Sequence, residues 1–517
     1  MIPSPLQKNI FEYIRDEDGS LIVEAVAGSG KTTTIVGSVN LIPDTHSVLF
    51  CAFNKSIATE LARKLPDYVK CLTLNSLGHR TWMRYIDGRL TLNTSKTFDI
   101  IDKDAELNSM YDKYAIRSVK FPVNKMVGMA KQIGLVPSGS SKLRALVKDT
   151  DAAWRNMIDH NNIEFNVKRE GKPRYEYNQE VTKRIALAIE IARFVLKKSI
   201  KMTTIIDFAD QLYLPVIYGA DFIQHDVVFV DEAQDISHIQ RVMLKKSMKE
   251  TGRIVCCGDA NQAIYGFRGA DSKSLDNMAD DFKAERLPLS ISYRCAKEIV
   301  KEAQKVVPTI EAFEDAPDGL VEHLGDYSRD SLDVIKDDDF VLCRNVAPLI
   351  KLAFCLISEN RPVGILGRDL GKSISGLIMK LKAKDIEDLR LKLMTWEKDE
   401  IARLQDRDPE ATGDRIIERA DSVRTFINCS GSDTISGVID AIERLFSDKI
   451  EGAVKLSTIH KAKGLEADRV IILDRSNMPS RFATKPWMIE QENNLVYVAI
   501  TRAISYLGYL DTPKESK

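Results

Sequence analysis

The feature that most constrains this chain is a glycine-rich turn between an apolar segment and a helical one. Residues 21–27 are almost entirely apolar and run into Gly28-Ser-Gly-Lys-Thr32. Glycines here let the backbone aim its N–H groups at phosphates, while Lys31 reaches the β- and γ-phosphates and Thr32 binds magnesium. The alternative is a chance turn at a helix start, which does not account for the strand before it. We therefore predict a phosphate-binding loop, although Ala25 stands where such loops usually begin with glycine.

An acidic pair has the context that nucleoside triphosphate hydrolysis requires. The run Val228-Phe-Val230 leads directly into Asp231-Glu232, so both carboxylates follow a predicted buried strand. We expect Asp231 to hold Mg²⁺ through water and Glu232 to orient or deprotonate the attacking water. Two later segments, Tyr293-Arg294 and Thr501-Arg502, supply charge for the γ-phosphate. An acidic pair alone is usually a solvated strand end, but together these parts indicate a motor ATPase.

Composition limits the class of protein. With 517 residues the chain is too long for one core, so two or more domains are expected. Its 74 basic and 75 acidic residues exclude a wholly basic nucleic-acid coat but not a local basic groove. Eight cysteines without a Cys-x-x-Cys pair argue against zinc or iron–sulfur sites and favour reduced thiols. Because no signal pattern or membrane-length apolar run is found, we expect a soluble, cytoplasmic protein.

Alternation of apolar strands with amphipathic helices predicts two parallel-sheet domains. Strands are expected at 21–27, 47–53, 69–74, 226–230 and 253–258, and again at 339–343, 362–366, 454–459 and 469–473. Helices are expected at 31–39, 184–198 and 347–357, with a further one bearing Ile57, Leu61 and Leu65. The first sheet domain would comprise 1–81 and 202–284, with a helical insertion at 82–201. The second would comprise 285–371 and 448–517, with a smaller helical insertion at 372–447.

Four longer motifs carry a resemblance to a known family. They are Asp231-Glu-Ala-Gln-Asp235, Gly258-Asp-Ala-Asn-Gln262-Ala-Ile-Tyr265-Gly-Phe267-Arg268-Gly-Ala270, Thr458-Ile-His460-Lys-Ala-Lys463-Gly464-Leu465-Glu466 and Tyr497-Val-Ala-Ile-Thr501-Arg502-Ala503. In this order, they resemble the helicase motifs of the UvrD/Rep/PcrA family of superfamily one. The resemblance implies an α/β fold with two RecA-like parallel-sheet domains in tandem, each with a helical insertion. The second insertion is shorter here than is usual in that family.

The resemblance also implies a site for ATP and Mg²⁺. Gln7 is similar to the glutamine that reads adenine, Tyr293 to the aromatic that stacks on the base, and Glu466 to the residue that contacts the ribose. Gln262 resembles the γ-phosphate sensor, and Arg294 and Arg502 resemble the pair that reaches the γ-phosphate from the second sheet domain. The implied catalytic set is Lys31, Asp231, Glu232, Gln262, Arg294 and Arg502, with Thr32 and Asp231 at the metal. The implied nucleotide contacts are Gln7, Ala27, Gly28, Ser29, Gly30, Lys31, Thr32, Thr33, Tyr293, Arg294, Gly464, Glu466 and Arg502.

A strand-binding surface is implied in the same way, since single strands need aromatic platforms and phosphate donors. Phe267 stands where the family usually has tryptophan, Asn75 where it usually has histidine, and the aromatic Phe53 is shifted by one position. Any single aromatic here is more often a core residue, and only its place in a motif reverses that reading. The implied DNA contacts are Phe53, Asn54, Lys55, Thr73, Asn75, Tyr265, Phe267, Arg268, Thr458 and His460.

Three functions remain open at this point. The first is an ATP-dependent helicase that moves along single-stranded DNA, with 3′→5′ polarity implied by the resemblance, and unwinds duplex DNA in replication, repair or recombination. The second is a DNA-stimulated translocase that displaces bound proteins with little unwinding. The third is a nucleotide-switched DNA-binding clamp, which has no need of a complete hydrolytic set. Expected partners are single-stranded DNA, single-strand/duplex junctions and replication or recombination proteins, with no membrane and a monomer as the working unit.

Overall fold

The computed structural model describes residues 3–140, 142–161, 163, 165, 174–264, 273–327, 332–407, 413–447, 451–480, 483 and 486–513. The chain divides into two compact units. The first comprises Met1–Val26 and Gly30–Ser290, and the second comprises Ala27–Ser29 and Ile291–Lys517. Within the described parts, no helix is both long and apolar enough to span a membrane.

The first unit alternates strands and helices and carries a helical insertion after its third strand. In chain order its elements are α1 (Pro5–Asp16), β1 (Leu21–Ala25), α2 (Lys31–Val39), β2 (Val48–Ala52), α3 (Lys55–Ala62), β3 (Val69–Thr73), α4 (Leu74–Ile86), β4 (Thr91–Leu92), α5 (Lys96–Lys103), α6 (Ala105–Met110), α7 (Lys113–Ile133), β5 (Leu135–Val136), β6 (Val147–Lys148), α8 (Asp151–His160), α9 (Arg174–Lys201), β7 (Ile205–Ile206), α10 (Asp210–Ile217), β8 (His225–Val230), α11 (His238–Lys246), β9 (Met248–Gly258), α12 (Ser274–Phe282) and β10 (Glu285–Leu289).

The main sheet of this unit is parallel throughout, in the order β10-β1-β9-β8-β2-β3. Successive strand residues face opposite cores. Phe50 and Phe229 pack with α1, α2 and α3, whereas Leu49, Val228 and Ile254 face a core that continues into the inserted helices. Burial on both faces is why Val48–Ala52 in β2 and residues 227–230 in β8 read as unbroken apolar runs.

The sequence predictions for this unit are close, with two differences. The strands and α2 lie where they were expected, with ends that shift by a few residues. Strand β10 pairs with β1, Leu21 opposite Glu285 and Ala25 opposite Leu289, although residues from 285 onward were expected in the second sheet domain. Helix α4 also runs unbroken through residue 82, the expected start of the insertion, and one core joins the sheet face to the insertion.

The second unit repeats the strand–helix alternation and has its own helical insertion. Its elements are β11 (Ile291–Ser292), α13 (Lys297–Gln304), β12 (Glu311–Ala312), β13 (Leu320–Asp326), β14 (Phe340–Cys343), α14 (Val346–Ser358), β15 (Val363–Leu366), α15 (Arg368–Leu381), α16 (Ile386–Arg407), α17 (Asp414–Cys429), α18 (Ile435–Leu445), β16 (Phe446–Ser447), β17 (Val454–Thr458), β18 (Ala467–Leu473), α19 (Pro486–Ile500) and β19 (Ala503–Asp511).

This second sheet is also parallel, in the order β13-β19-β18-β14-β17-β15-β16. The insertion begins with α15 at Arg368, four residues before its expected start, and Phe446–Ser447 already belong to the sheet as β16. Strands β13 and β19 were not predicted. Strand β19 begins directly after Arg502, where the sequence interpretation ended, and it pairs with both β13 and β18.

Candidate active site

Three neighbouring strands of the first sheet end at one edge, where Lys31, the pair Asp231-Glu232 and Gln262 lie. Strand β9 pairs with β1 on one side and β8 on the other, with Glu24 opposite Gly258 and Val230 opposite Cys256. The chain leaves β1 into the phosphate loop, β8 into the acidic pair and β9 into the segment that ends at Gln262. Because parallel strands place their carboxyl ends together, the structure brings these three segments to one sheet edge.

The phosphate loop has the backbone conformation that its glycines permit. Gly28 and Gly30 have φ values of 72° and 79°, in the left-handed region where other L-residues are strained. Gly30 caps α2, and Lys31 is the first residue of that helix. Thr32 and Thr33 are exposed in the first turn, whereas Ala27 and Ser29 are buried. The first N–H groups of a helix have no partner within it, so the start of α2 is suited to binding an anion.

Three carboxylates surround Lys31. Burial lowers the pKa of Lys31, but the charges of Glu232, Asp259 and Asp231 outweigh burial and hold this pKa above its ordinary value. Burial, and after it the charge of Glu232, raises the pKa of Asp231. Burial likewise raises the pKa of Asp259. Carboxylate and hydroxyl oxygens are the hard donors that Mg²⁺ prefers, and one or two of them beside substrate phosphates are its usual protein ligands, so Asp231 and Thr32 fit this ion.

Glu232 is held in a strained backbone conformation. Its φ is 53°, and a non-glycine residue in this region costs roughly 1–3 kcal/mol, a strain that tends to occur at functional sites. The Glu232 N–H donates to Asp231 Oδ1 at 2.9 Å. The Glu232 carboxylate accepts a hydrogen bond from Gln234 Nε2. The carboxylate is therefore oriented before any substrate arrives.

Two residues that the sequence analysis did not single out complete this network. Asp259 is buried, and its Oδ2 accepts from Gln262 Nε2 at 2.7 Å. Gln234 Oε1 accepts from the Asp259 N–H at 3.1 Å, so Gln234 joins the Gln262 segment to Glu232. A Cβ on Gly258 would lie 2.6 Å from Gln234 Oε1, which explains the glycine there. Both residues lie inside the motifs quoted above, so their positions were the available signal.

Gln7, the predicted adenine reader, is already bonded to the protein at both ends of its amide. It is buried in α1, where Gln7 Oε1 accepts from the Ser4 N–H at 3.0 Å in a capping box. Gln7 Nε2 donates to Thr34 Oγ1 at 2.9 Å. Gln7 is thus fixed to α2, the helix that begins with Lys31.

The residues of the second unit that are predicted to contact the nucleotide differ in burial and in hydrogen-bond partners. Arg294 forms an ion pair with Glu466. Arg502 is 2% exposed, and its guanidinium donates to the main-chain oxygens of Val498 and Leu465, both at 3.0 Å. Tyr293 is exposed, with its ring 5.1 Å from that of Phe313, and Gly464 has a φ of 84°.

The first group of predicted strand contacts lies at the ends of β2 and β3. These strands pair with Ala52 opposite Thr73, so the segments that follow them are neighbours at the sheet edge that also holds the phosphate loop. Phe53 is 49% exposed. Asn54 caps α3 by accepting from the Ile57 N–H at 2.9 Å, and Lys55 is exposed at the start of that helix. Thr73 caps α4 in the same way.

Asn75 is held by the turn before α10 and by the first turn of that helix. Asn75 Nδ2 donates to the Phe208 carbonyl at 3.1 Å and to Gln211 Oε1 at 2.9 Å. The Phe208 ring is 57% exposed, and it is an aromatic beside the predicted contacts that the sequence analysis missed.

In the second unit, Thr458 is buried at the end of β17, and His460 follows it in a turn. The remaining predicted contacts, Tyr265, Phe267 and Arg268, lie outside the described residues.

Comparison with known proteins decides the family. Residues 6–283 match the UvrD/REP helicase N-terminal domain, and residues 420–510 match the UvrD-like helicase C-terminal domain. This chain belongs to the UvrD/REP helicase family. The family predicted from the motifs is therefore confirmed, and so is the α/β class with two RecA-like parallel-sheet domains.

The relatives of this UvrD/REP-family chain include bacterial helicases. DNA helicase II of Escherichia coli (strain K12) is 23% identical over 321 residues, which is 57% of this chain and 39% of that protein. ATP-dependent DNA helicase PcrA of Staphylococcus epidermidis is 23% identical over 314 residues, with the same shares covered. DNA helicase II of Haemophilus influenzae is 36% identical over 80 residues, 16% of this chain and 11% of the relative. The chain thus spans about two fifths of the length of the first two relatives.

Proposed function

We propose that this protein is an ATP-dependent DNA helicase. It hydrolyses ATP with Mg²⁺, moves along single-stranded DNA in the 3′→5′ direction and unwinds duplex DNA at single-strand/duplex junctions. The observation that carries this proposal is the edge of the first sheet. Lys31, the pair Asp231-Glu232 and Gln262 follow β1, β8 and β9. The first group of predicted strand contacts, residues 53–55 with 73 and 75, lies at the ends of β2 and β3.

The hydrolytic half of the edge has the chemistry for phosphoryl transfer to water. The backbone N–H groups of the loop and Lys31 hold the β- and γ-phosphates, and Glu232, fixed by its neighbours, orients the attacking water. Thr32 and Asp231 would hold the metal ion, which when bound neutralises charge on the phosphate oxygens. Arg294 and Arg502 would stabilise the charge that develops on the γ-phosphate.

Gln262 offers a route from hydrolysis to the strand. Its amide is bonded to Asp259, one of the acids around Lys31. Residue 265, the first of the predicted strand-contact cluster, is only three positions further along the chain. A change at the γ-phosphate can therefore reach a strand contact through a short segment, as a motor requires.

A second candidate is a translocase that displaces bound proteins with little unwinding. The second insertion is small, with four helices among its described residues between Arg368 and Leu445. Its size favours this second function because the family's larger module contacts duplex DNA. A nucleotide-switched clamp is disfavoured by the intact set of Lys31, Glu232 and Gln262. Replication, repair or recombination is the setting we propose, with single-stranded DNA as partner and a monomer as the working unit.

The test of the proposed activity is the ATPase rate with and without a single-stranded oligonucleotide. We expect ATP hydrolysis that needs Mg²⁺ and rises several-fold with the oligonucleotide, since strand binding completes the catalytic arrangement. A rate that DNA does not change would contradict a DNA motor and favour a nucleotide switch.

A further inference from the structure

A buried cluster of charged side chains lies between the first insertion and the predicted strand contacts. Lys96, Lys131 and Asp210 have fully buried side chains, and the Asp207 side chain is 15% exposed. Lys96 Nζ lies 2.7 Å from Asp210 Oδ2. Lys131 Nζ lies 2.8 Å from Asp210 Oδ1 and 2.6 Å from Asp207 Oδ2. Two lysines stand against two aspartates, so each buried side chain of the cluster has a partner of opposite formal charge, as buried charges require.

The cluster fixes a turn to the inserted helices. Asp207 and Asp210 cap each other, because the Asp207 N–H donates to Asp210 Oδ2 at 3.0 Å and the Asp210 N–H donates to Asp207 Oδ1 at 2.8 Å. Lys96 on α5 also donates to the Ser199 carbonyl, near the end of α9, at 2.8 Å. Lys131 belongs to α7. The segment 207–211, called the turn below, comprises the turn before α10 and the first two residues of that helix. Helices α5 and α7 of the insertion contact it directly through Lys96 and Lys131, and α9 contacts it through Lys96.

The same turn also holds Asn75, a predicted DNA contact. Phe208 and Gln211, which lie between and beside the two aspartates, accept the hydrogen bonds of Asn75 Nδ2. Helices α4 and α10 also cross closely, since a Cβ on Gly78 would lie 2.0 Å from the Gln211 carbonyl oxygen. The turn thus orients the side-chain amide of Asn75 at the start of α4.

We propose that Lys96, Lys131, Asp207 and Asp210 are positioning residues for the strand contact at Asn75. Through them the inserted helices set how tightly the first sheet domain holds single-stranded DNA. Apolar side chains could fill the volume of the two lysines, but they would not fix the direction of the Asp207 and Asp210 carboxylates, which orient the turn. This inference rests on the proposed function, because it presumes that Asn75 contacts a DNA strand.

A charge-balanced variant tests the cluster against a matched surface pair. Lys131→Met/Asp207→Asn removes one charge of each sign from the cluster. Lys120→Met/Asp102→Asn makes the same exchange in an ion pair between α7 and α5, where Lys120 Nζ lies 2.7 Å from Asp102 Oδ1. The readout is the ATPase rate against oligodeoxythymidine concentration. We expect both double variants to keep the wild-type ATPase rate without DNA. Only the cluster variant should need a half-saturating oligodeoxythymidine concentration about five- to tenfold higher, as for the loss of one hydrogen bond.

Coupling to Asn75 separates positioning from general structural support. By itself, Asn75→Ala should raise the half-saturating oligonucleotide concentration. Combining it with the cluster variant should give no further rise, because both changes act through one contact. Multiplying effects, or a cluster variant that binds like the wild type, would overturn the inference. So would an Asn75→Ala variant with unchanged stimulation, which would leave the proposed function standing. A wild-type protein that DNA does not stimulate would overturn both.

A second variant keeps the inference testable if the cluster variant does not fold. Gln211→Met leaves the four charges in place and removes the side-chain oxygen that accepts from Asn75. The same increase in the half-saturating oligonucleotide concentration is expected, with an unchanged melting temperature. A half-saturating concentration equal to that of the wild type would contradict the positioning of Asn75 by this turn.

Discussion

Arg294 Nη2 lies 2.5 Å from Glu466 Oε2 within the second unit. The guanidinium predicted to reach the γ-phosphate is therefore paired with the carboxylate predicted to contact the ribose. The two side chains are 25% and 49% exposed, and solvent-facing pairs of this kind contribute only about 0–1 kcal/mol. A phosphate can thus compete for Arg294 at little cost. Arg502 is unlike it, because its guanidinium is buried against main-chain oxygens.

This difference predicts distinct outcomes for the two arginine variants. Arg294→Ala should lower kcat by about 10³-fold or more, as expected for an arginine that stabilises the transition state, with little change in the melting temperature. Arg502→Ala should lower both, since each buried carbonyl left without its donor costs about 1–3 kcal/mol. ATPase rates and thermal melts measured side by side check this. A stable Arg502→Ala protein would contradict the structural role inferred from its burial.

Glu232→Gln should separate binding from chemistry. The amide keeps the shape of the side chain but cannot take a proton from water, so kcat should fall by about 10²–10⁴-fold while ATP and DNA still bind. Lys31→Ala provides the contrast, because loss of the phosphate ligand should remove nucleotide binding itself. Turnover near the wild-type rate in Glu232→Gln, with binding measured by a fluorescent ATP analogue, would remove Glu232 from the mechanism.

The raised pKa of Asp231 should make the folded, ligand-free protein less stable as pH rises. Burial, and then Glu232, raises the pKa of Asp231, so the folded protein holds this proton more tightly than the unfolded chain. Stability from this group is therefore present at the ordinary aspartate pKa, near pH 4, and is lost as pH rises through the folded pKa. Asp231→Asn should raise the melting temperature at neutral pH and have little effect near pH 4. A melting temperature lowered at neutral pH would contradict this account.

The exposed ring of Phe53 should contribute to strand binding and not to folding. A base stacked on an aromatic side chain is worth about 1–3 kcal/mol, so Phe53→Ala should weaken oligonucleotide binding about fivefold or more. Phe267→Ala should do the same and should lower the DNA-stimulated ATPase rate more than the basal rate. Fluorescence anisotropy with a labelled oligonucleotide measures both. Unchanged affinity in either variant would return that ring to a structural role.

Local motifs made part of the site predictable. Lys31, Asp231 and Glu232 each lie within a few residues of the strand that positions them, so the sequence alone placed them at a strand end. Asp259 and Gln234 were missed because their importance lies in hydrogen bonds to each other's segments. Such contacts depend on which strands are neighbours in the sheet.

Tertiary context explains the remaining misses. Strand β10 has the same local pattern whichever sheet it joins, and only its pairing with β1 assigns it to the first. Lys96 and Lys131 are lysines on amphipathic helices, which usually face solvent, and they are buried here because two aspartates from a distant turn balance their charge. No sequence pattern within α5 or α7 predicts these aspartate partners.

We propose that ATP hydrolysis at this site drives movement along DNA. The most direct test is displacement of a labelled strand from duplexes with a 3′ tail, a 5′ tail or no tail, in the presence of ATP and Mg²⁺, with Lys31→Ala as the inactive control. We predict displacement that needs ATP and a 3′ tail and is absent in the control. Displacement without ATP, or equal displacement by Lys31→Ala, would contradict a motor driven by this site.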